Sequence, residues 1–284
     1  MKLPFQLSRT SILCLLGVAL LGWSCSRVPI TGRKQAQLFP EADLVQMSLA
    51  AYNDFLSQND VVDGGDDHAM VARVGEKLAN SVEQVLRQEG YSERLSTLQW
   101  DFNLVNDPLV NAWAMPGGKV VIYTGILPVT QTETGLAVVM GHELAHAIAQ
   151  HGNERMSQYY MADLGLNLSA VALDLSLSND KEAAKQWAML AAGVGVQLGV
   201  LLPFSRAQES EADELGLVFM ANAGYDPAEA VGFWSRMNEI GGDPVPEWLS
   251  THPSHETRIS DIETKFLPQA MTYYRPEATR KRGR

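Results

Sequence analysis

The chain has 284 residues, of which 46% are hydrophobic and 19% charged, and its formal net charge is −11. This composition excludes a collagenous or wholly disordered protein, and the scarcity of long uncharged apolar runs excludes a polytopic membrane protein. The excess of acidic side chains repels phosphate backbones, so we expect no nucleic-acid partner.

The N-terminus has the three-part layout of a bacterial secretory signal. Basic residues precede an apolar run over 11–22, which is shorter than the roughly 20 residues that cross a bilayer. Both cysteines, Cys14 and Cys25, lie in this region, and Cys25 stands where a lipoprotein signal places its lipidated cysteine. We predict a signal peptide over 1–24 and a lipidated tether over 25–39. An unmodified thiol beside an ordinary cleavage site is the alternative.

Apolar residues at helical spacing predict helices on both sides of a short β-rich region. Strict alternation over 98–105 predicts a strand. The β-rich runs over 110–115 and 119–124 flank Pro116-Gly117-Gly118 and predict a hairpin. Basic residues within 269–284 predict a solvated tail. The helices are expected over 40–56, 66–90, 132–150, 163–177, 181–202, 207–223, 227–240 and 254–266.

The apolar stretch over 188–204 is the serious candidate for a membrane span. It is marginal in length for that purpose, contains Gln197 and is interrupted by glycines and a proline. We therefore expect a buried helix, or one that covers the site, and keep a membrane-spanning helix as the alternative.

A His-Glu-Leu-Ala-His sequence begins at His142, inside the helix predicted over 132–150. His142 and His146 are four residues apart, so their imidazoles project from one side of the helix and can share one zinc ion. Glu143 lies about 100° around the helix from His142. It can take a proton from a water at the metal and pass it to a leaving amine. Two histidines at the edge of the core of an ordinary helix are the alternative.

Catalytic zinc needs a third protein ligand, because it keeps three of them and one open position. Glu209 and Asp213 share one face of the helix predicted over 207–223. Glu209 can ligate while Asp213 accepts the N–H of a ligating histidine. The small Ala212 would let the two helices pack closely. Glu211 points about 160° away from Glu209 and is assigned to solvent. A solvated acidic face is the alternative.

The predicted hairpin also offers a place for substrate. Asn111, Ala112 and Trp113 precede its turn. A strand beside a zinc site can pair its free edge with an extended peptide and hold the scissile bond over the metal. An ordinary hairpin without this function is the alternative.

Two further residues near the C-terminus have several possible roles. His252 can donate to the oxyanion of a tetrahedral intermediate, or it can occupy the open zinc position as a latch. Arg258 can orient the site or pair with an acidic residue of the 207–223 helix. Helix capping by Ser254 needs no catalysis at all. The remaining histidines are expected to be surface or packing residues: His68, His151 and His255.

Taken in order, these motifs resemble the zinc metallopeptidase family that contains HtpX, the CaaX prenyl protease and BepA. The resemblance covers roughly residues 29–268. The residues that carry it are Val28-Pro29-Ile30-Thr31-Gly32-Arg33, Asn111-Ala112 with Pro116-Gly117-Gly118, Gly141-His142-Glu143-Leu144-Ala145-His146, Glu209-Ser210-Glu211-Ala212-Asp213, and Thr251-His252-Pro253 with Arg258-Ile259.

The resemblance implies an α+β, zincin-like metallopeptidase fold over 40–268, mainly helical with a small twisted sheet and a hairpin edge strand. It implies one zinc ion per chain, with Glu143 as the general base and with His252 and Arg258 at the site. It assigns the metal to three ligands: His142, His146 and Glu209.

The expected reaction is hydrolysis of internal peptide bonds in unfolded or misassembled envelope proteins. Glu143 would move protons, and His252 or Arg258 would stabilise the oxyanion. We find no counterpart of the HtpX membrane helices or the BepA repeats, so the chain is most similar to the short, lipoprotein-like branch typified by LoiP. We expect an outer-membrane lipoprotein facing the periplasm, with envelope assembly machinery as a further partner. An envelope chaperone or scaffold with a structural or latched zinc site, and an integral inner-membrane protease, are the alternatives.

Overall fold

The computed structural model describes residues 25–161, 205–240, 246–252 and 257–276. The predicted signal peptide, the predicted helices over 163–177 and 181–202, and the candidate membrane segment over 188–204 lie outside the described residues. Among the helices that are described, we find none long and apolar enough to cross a membrane.

Two small sheets are formed by the described chain. A three-stranded sheet has the order β3-β5-β4, with β3 parallel and β4 antiparallel to β5. The predicted hairpin is confirmed as β4 and β5, and β4 lies at the edge of this sheet. The predicted strand over 98–105 begins later, because pairing with β5 starts only at Asp101. The strand bounds are β1 Cys25–Arg27, β2 Lys34–Ala36, β3 Asp101–Val105, β4 Ala112–Met115 and β5 Lys119–Tyr123.

Helices make up most of the described chain, which confirms the predicted mainly helical fold. Short 3-10 turns cover Ser92–Thr97 and Thr124–Ile126, and a π turn covers Ile262–Phe266. The helices are α1 Glu41–Gln58, α2 Gly65–Gln88, α3 Leu127–Thr130, α4 Glu133–Ile148, α5 described over 151–161, α6 Arg206–Ala223, α7 Glu229–Ile240, α8 Glu247–Thr251, α9 Arg258–Asp261 and α10 Leu267–Tyr273.

The central helix α4 is buried along almost its whole length, between α6, α2 and the sheet. The Thr132 side chain caps its N-terminus by accepting a hydrogen bond from the Gly135 N–H. It ends at Ile148, and Gln150, two residues further on, has a positive φ of 56° and redirects the chain into α5. This turn brings the start of α5 back toward the C-terminal end of α4, where His146 lies.

Glycines set the close approach of α4 and α6. A Cβ on Gly216 would lie 2.9 Å from the carbonyl carbon of Gly141, which real Cβ atoms do not tolerate against backbone. Ala212, to which the sequence assigned the close packing, is buried, but the backbones meet at the two glycines. Because Gly141 directly precedes His142, this contact brings the acidic residues of α6 to the histidines of α4.

The N-terminal segment differs from the extended tether that the sequence predicted. Strands β1 and β2 form an antiparallel hairpin that pairs Cys25 with Ala36. Its loop turns through Ile30 and Gly32, which both have positive φ, and Val28 is fully buried in the main core. The alternation and turn signals in this segment are too short to stand out, but its packing makes it part of the folded body.

The C-terminal helical region also differs from its prediction. The helix expected over 254–266 is described from Arg258, passes through the π turn and continues to Tyr273. Ala270 is fully buried where α10 packs on α6. The first part of the predicted solvated tail is therefore a packed helix, and residues 277–284 lie outside the described chain.

Candidate metal centre

Four buried side chains with metal-ligating atoms converge beside the sheet. Helix α4 supplies His142 and His146, α6 supplies Glu209, and His252 follows α8; one ligand atom from each lies within 4.8 Å of the others. His142 Nε2 lies 3.1 Å from His146 Nε2 and 3.6 Å from Glu209 Oε2. His146 Nε2 lies 3.4 Å from Glu209 Oε1. The predicted ligand set is therefore brought together around one point.

The spacing of these atoms fits a zinc ion. Ligand atoms about 2.0–2.2 Å from a tetrahedral zinc are separated from one another by roughly 3.4 Å. The three separations of 3.1, 3.4 and 3.6 Å lie around this value. Glu209 Oε1 is buried and has no hydrogen-bond partner among the described residues, so a cation would satisfy it. His142, His146 and Glu209 would hold the ion.

Asp213 and Arg258 form hydrogen bonds with the candidate metal ligands. Asp213 Oδ1 accepts a hydrogen bond from His142 Nδ1 at 3.0 Å, as predicted from the sequence. Arg258 donates to the same oxygen at 2.8 Å and to Glu209 Oε2 at 3.1 Å. Its guanidinium carbon lies 3.3 Å from the centre of the Trp234 ring. Of the roles left open for Arg258, the structure shows the one in which it pairs with both carboxylates.

The pKa values of the two histidine ligands are shifted in opposite directions. Burial by itself would lower the pKa of His142, but its hydrogen bonds to Asp213 and Glu209 outweigh that effect and raise the pKa to about 9. Burial lowers the pKa of His146 well below its ordinary value. A proton on His142 can thus lie between the two rings, and a metal that binds there must displace it.

Glu143 lies beside the ligand set without belonging to it. It is 2% exposed, and its Oε1 accepts a hydrogen bond of 2.6 Å from the Trp248 indole. The same oxygen is 3.6 Å from His252 Nε2. Burial raises the pKa of Glu143 to about 7, although the charge of His142 and the bond from Trp248 act in the opposite direction. A carboxyl group with this pKa can both accept and release a proton near neutral pH.

The ring of His252 is held in a definite orientation. Its Nδ1 lies 3.0 Å from the carbonyl oxygen of Trp248, which can only accept, so Nδ1 carries the proton. Burial lowers the pKa of His252 to about 3, which favours the neutral ring. In that form Nε2 presents a lone pair toward Glu143 and the metal ligands, so it is suited to ligation, and it would donate to an oxyanion only after protonation.

An open cleft of about 300 Å³ runs along the metal centre. Glu143, His146 and His252 form one part of its wall, and apolar residues of α1 form another. The predicted substrate strand lies along the same cleft, because Asn111, Ala112 and Trp113 all line it. Arg258 is 1% exposed and does not line the cleft. The edge strand therefore lies along the cleft, and Arg258 does not.

Two residues beside the centre make contacts that the sequence did not predict. His151, expected at the surface or in packing, is buried with its Nδ1 2.8 Å from His146 Nδ1. Glu211, expected in solvent, is 5% exposed and accepts hydrogen bonds from His151, Thr31 and Arg33. Helical geometry correctly predicts that Glu211 points away from Glu209. The prediction that Glu211 is exposed to solvent was wrong, because the N-terminal hairpin, and not water, covers that side of α6.

Two histidines one helical turn apart and a glutamate from another helix form the ligand set of a zinc-dependent peptidase. The sequence profile of peptidase family M48 matches residues 72–265, and the chain belongs to that family. The resemblance inferred from the motifs is thereby confirmed at the level of the family.

Relatives with known names fall into two groups. The chain is 38% identical to the mitochondrial metalloendopeptidase OMA1 of Schizosaccharomyces pombe over 66% of its own length and 53% of that protein. It is 31% identical to the metalloendopeptidase OMA1 of Danio rerio over 86% of its length and 50% of the relative. It is 28% identical to the beta-barrel assembly-enhancing protease of Yersinia pestis over 58% of its length and 34% of the relative. The chain thus spans about half the length, or less, of these relatives.

Proposed function

We propose that this chain is a zinc-dependent endopeptidase that cleaves unfolded or misassembled proteins in the bacterial cell envelope. The observation that carries the proposal is the convergence of His142, His146 and Glu209, with atoms 3.1–3.6 Å apart, beside the buried Glu143. Membership of family M48 supports peptide hydrolysis. The envelope setting is supported by the secretory layout of the N-terminus and by the similarity to the protease named for β-barrel assembly.

The residues around the centre divide the work of hydrolysis. A bound zinc supplies Lewis acidity for the carbonyl and lowers the pKa of water. Glu143 takes the proton from the attacking water and delivers it to the leaving amine. Edge strand β4, through Asn111, Ala112 and Trp113, pairs with the main chain of an extended peptide. Main-chain pairing of this kind accepts many sequences, which suits unfolded substrates.

Arg258 and His252 have different roles in this proposal. Arg258 is a positioning residue, because it contacts Glu209 and Asp213 but not the cleft. His252 lies at the cleft, where a protonated ring would donate to the oxyanion. The neutral ring would ligate instead and close the open coordination position. Substrate entry would then have to displace His252.

Removal of metal is expected to stop catalysis reversibly. Incubation of the full chain with a strong zinc chelator should abolish cleavage of casein, and stoichiometric Zn²⁺ should restore it, because no described side chain can replace the Lewis acid. Gel analysis of casein fragments and zinc content measured by atomic absorption provide the readout. Cleavage that persists in verified metal-free protein would contradict the proposed chemistry.

The second candidate function is an envelope chaperone or scaffold whose zinc site is latched shut. The specific observation in its favour is that His252 offers a fourth ligand atom within 4.8 Å of the others. This candidate predicts that zinc-loaded protein leaves casein intact but still suppresses aggregation of an unfolded substrate. The chelation assay therefore distinguishes the two functions, because only the endopeptidase generates fragments that depend on zinc.

We place the protein on the periplasmic face of the outer membrane through a lipid on Cys25. Cys25→Ser is expected to move the chain from the membrane pellet to the soluble periplasmic fraction, because a diacyl anchor supplies nearly all of the membrane affinity. Carbonate extraction provides the control, since an integral span over 188–204 would hold both proteins in the pellet. Equal pelleting of wild type and variant would contradict the lipid anchor.

A further inference from the structure

A chain of hydrogen bonds leads from the metal ligand His146 to the N-terminal hairpin. His146 Nδ1 lies 2.8 Å from His151 Nδ1, and His151 Nε2 lies 3.0 Å from Glu211 Oε2. Glu211 also accepts hydrogen bonds from the Thr31 hydroxyl and, at 2.7 Å, from Arg33 Nε. The atoms that link the hairpin to His146 are contributed by α4, α5, α6 and the loop between β1 and β2.

The direction of each hydrogen bond follows from the groups involved. Three donors converge on Glu211, so it acts as a carboxylate and accepts from His151 Nε2–H. The neutral ring of His151 then has a lone pair on Nδ1. His146 Nδ1 must carry the proton that fills this bond, and His146 Nε2 is left with the lone pair that a metal requires.

The hairpin holds Glu211 in place from one side. Arg33 donates through Nη1 and Nη2 to Glu154 at 2.7 and 2.8 Å while its Nε contacts Glu211. The Arg33 side chain is thereby fixed between two acidic residues that are 5% exposed. Such charge-assisted pairs are strong and directional. Residues 25–39 precede the region 72–265 that matches the family profile. They nevertheless contact Glu211, which is linked to the metal ligand His146 through His151.

We propose that the β1–β2 hairpin is a functional part of the metal centre, in which Thr31 and Arg33 hold Glu211 so that His151 fixes the metal-ligating tautomer of His146. His151 and Glu211 are positioning residues in this arrangement. The inference rests on the metal site of the proposed function but not on peptide hydrolysis. It gives the Thr31-Gly32-Arg33 motif a physical role.

Glu211→Gln tests the proposal, because the amide can donate to His151 Nε2 and thereby reverse the hydrogen bonds toward His146. We expect the affinity of the full chain for Zn²⁺, measured by competition with a chromophoric chelator, to fall about 10–100-fold. Arg33→Met should give a smaller loss of the same kind. Glu214→Gln is the matched control, since it makes the same chemical change on the same helix outside the chain of bonds and should keep wild-type affinity.

A second measurement tests the tautomer directly and does not depend on peptide hydrolysis. Long-range ¹H–¹⁵N correlation spectra of the metal-free full chain, labelled at histidine, should show the proton of His146 on Nδ1. Glu211→Gln should change that pattern. A wild-type His146 protonated on Nε2 alone, or Zn²⁺ affinity of Glu211→Gln within twofold of wild type, overturns the inference. Zinc binding without casein cleavage would contradict the proposed function and leave this inference intact.

Discussion

Glu143→Gln is expected to abolish casein cleavage while the protein keeps its zinc. The glutamine has nearly the same shape and can still accept the hydrogen bond from Trp248, but it cannot take a proton from water. A general base contributes about 10²- to 10⁴-fold to such reactions, so kcat should fall by roughly that factor. KM should change little, because Glu143 is not among the ligands and the β4 edge remains in place.

The control for this variant separates loss of the base from loss of the site. Zinc content of Glu143→Gln should equal that of wild type, and the urea midpoint of unfolding should be similar. Glu76→Gln makes the same change on an exposed position of α2 and should keep wild-type turnover. Turnover of Glu143→Gln within tenfold of wild type would refute the assignment of Glu143 as the general base.

The sequence predicted those parts of the fold that depend on local periodicity. Helices α1, α2, α4, α6 and α7 lie where apolar spacing placed them, and the β4–β5 hairpin follows its Pro-Gly-Gly turn. The prediction of an extended tether was wrong because three-residue strands are too short to show a recognisable alternation of apolar and polar residues. The end of the last helix was predicted too early for a related reason, since its final turns are stabilised by packing on α6 and not by their own apolar spacing.

The candidate centre shows the same division between local and long-range information. The spacing of His142 and His146, and of Glu209 and Asp213, fixes which side chains share a helical face, and the structure brings both pairs together. What covers the other faces cannot be read from spacing. Helix α6 carries Glu209 toward the metal centre and Glu211 toward the hairpin, so both of its acidic faces are buried.

Replacing Arg258 by methionine is expected to be the most destabilising single change at the centre. Arg258 is 1% exposed and provides the cation between Glu209 and Asp213. Methionine would fill much of the space but would leave two buried carboxylates with less compensation. Removing one partner of a buried ion pair typically costs about 3–5 kcal/mol. Urea unfolding of the metal-free protein, monitored by far-ultraviolet circular dichroism, would measure the lost free energy of unfolding.

Arg73→Met is the matched control, because Arg73 pairs with Glu133 at 2.6 Å but its side chain is 54% exposed. Exposed pairs contribute about 0–1 kcal/mol, so this variant should unfold close to wild type. The double variant Arg258→Met/Asp213→Asn gives the sharper test. If the cost arises from uncompensated charge, neutralising Asp213 should recover part of the stability that Arg258→Met loses. Additive losses in the double variant would instead assign the effect to lost packing on Trp234, and the buried arginine would not be needed for its charge.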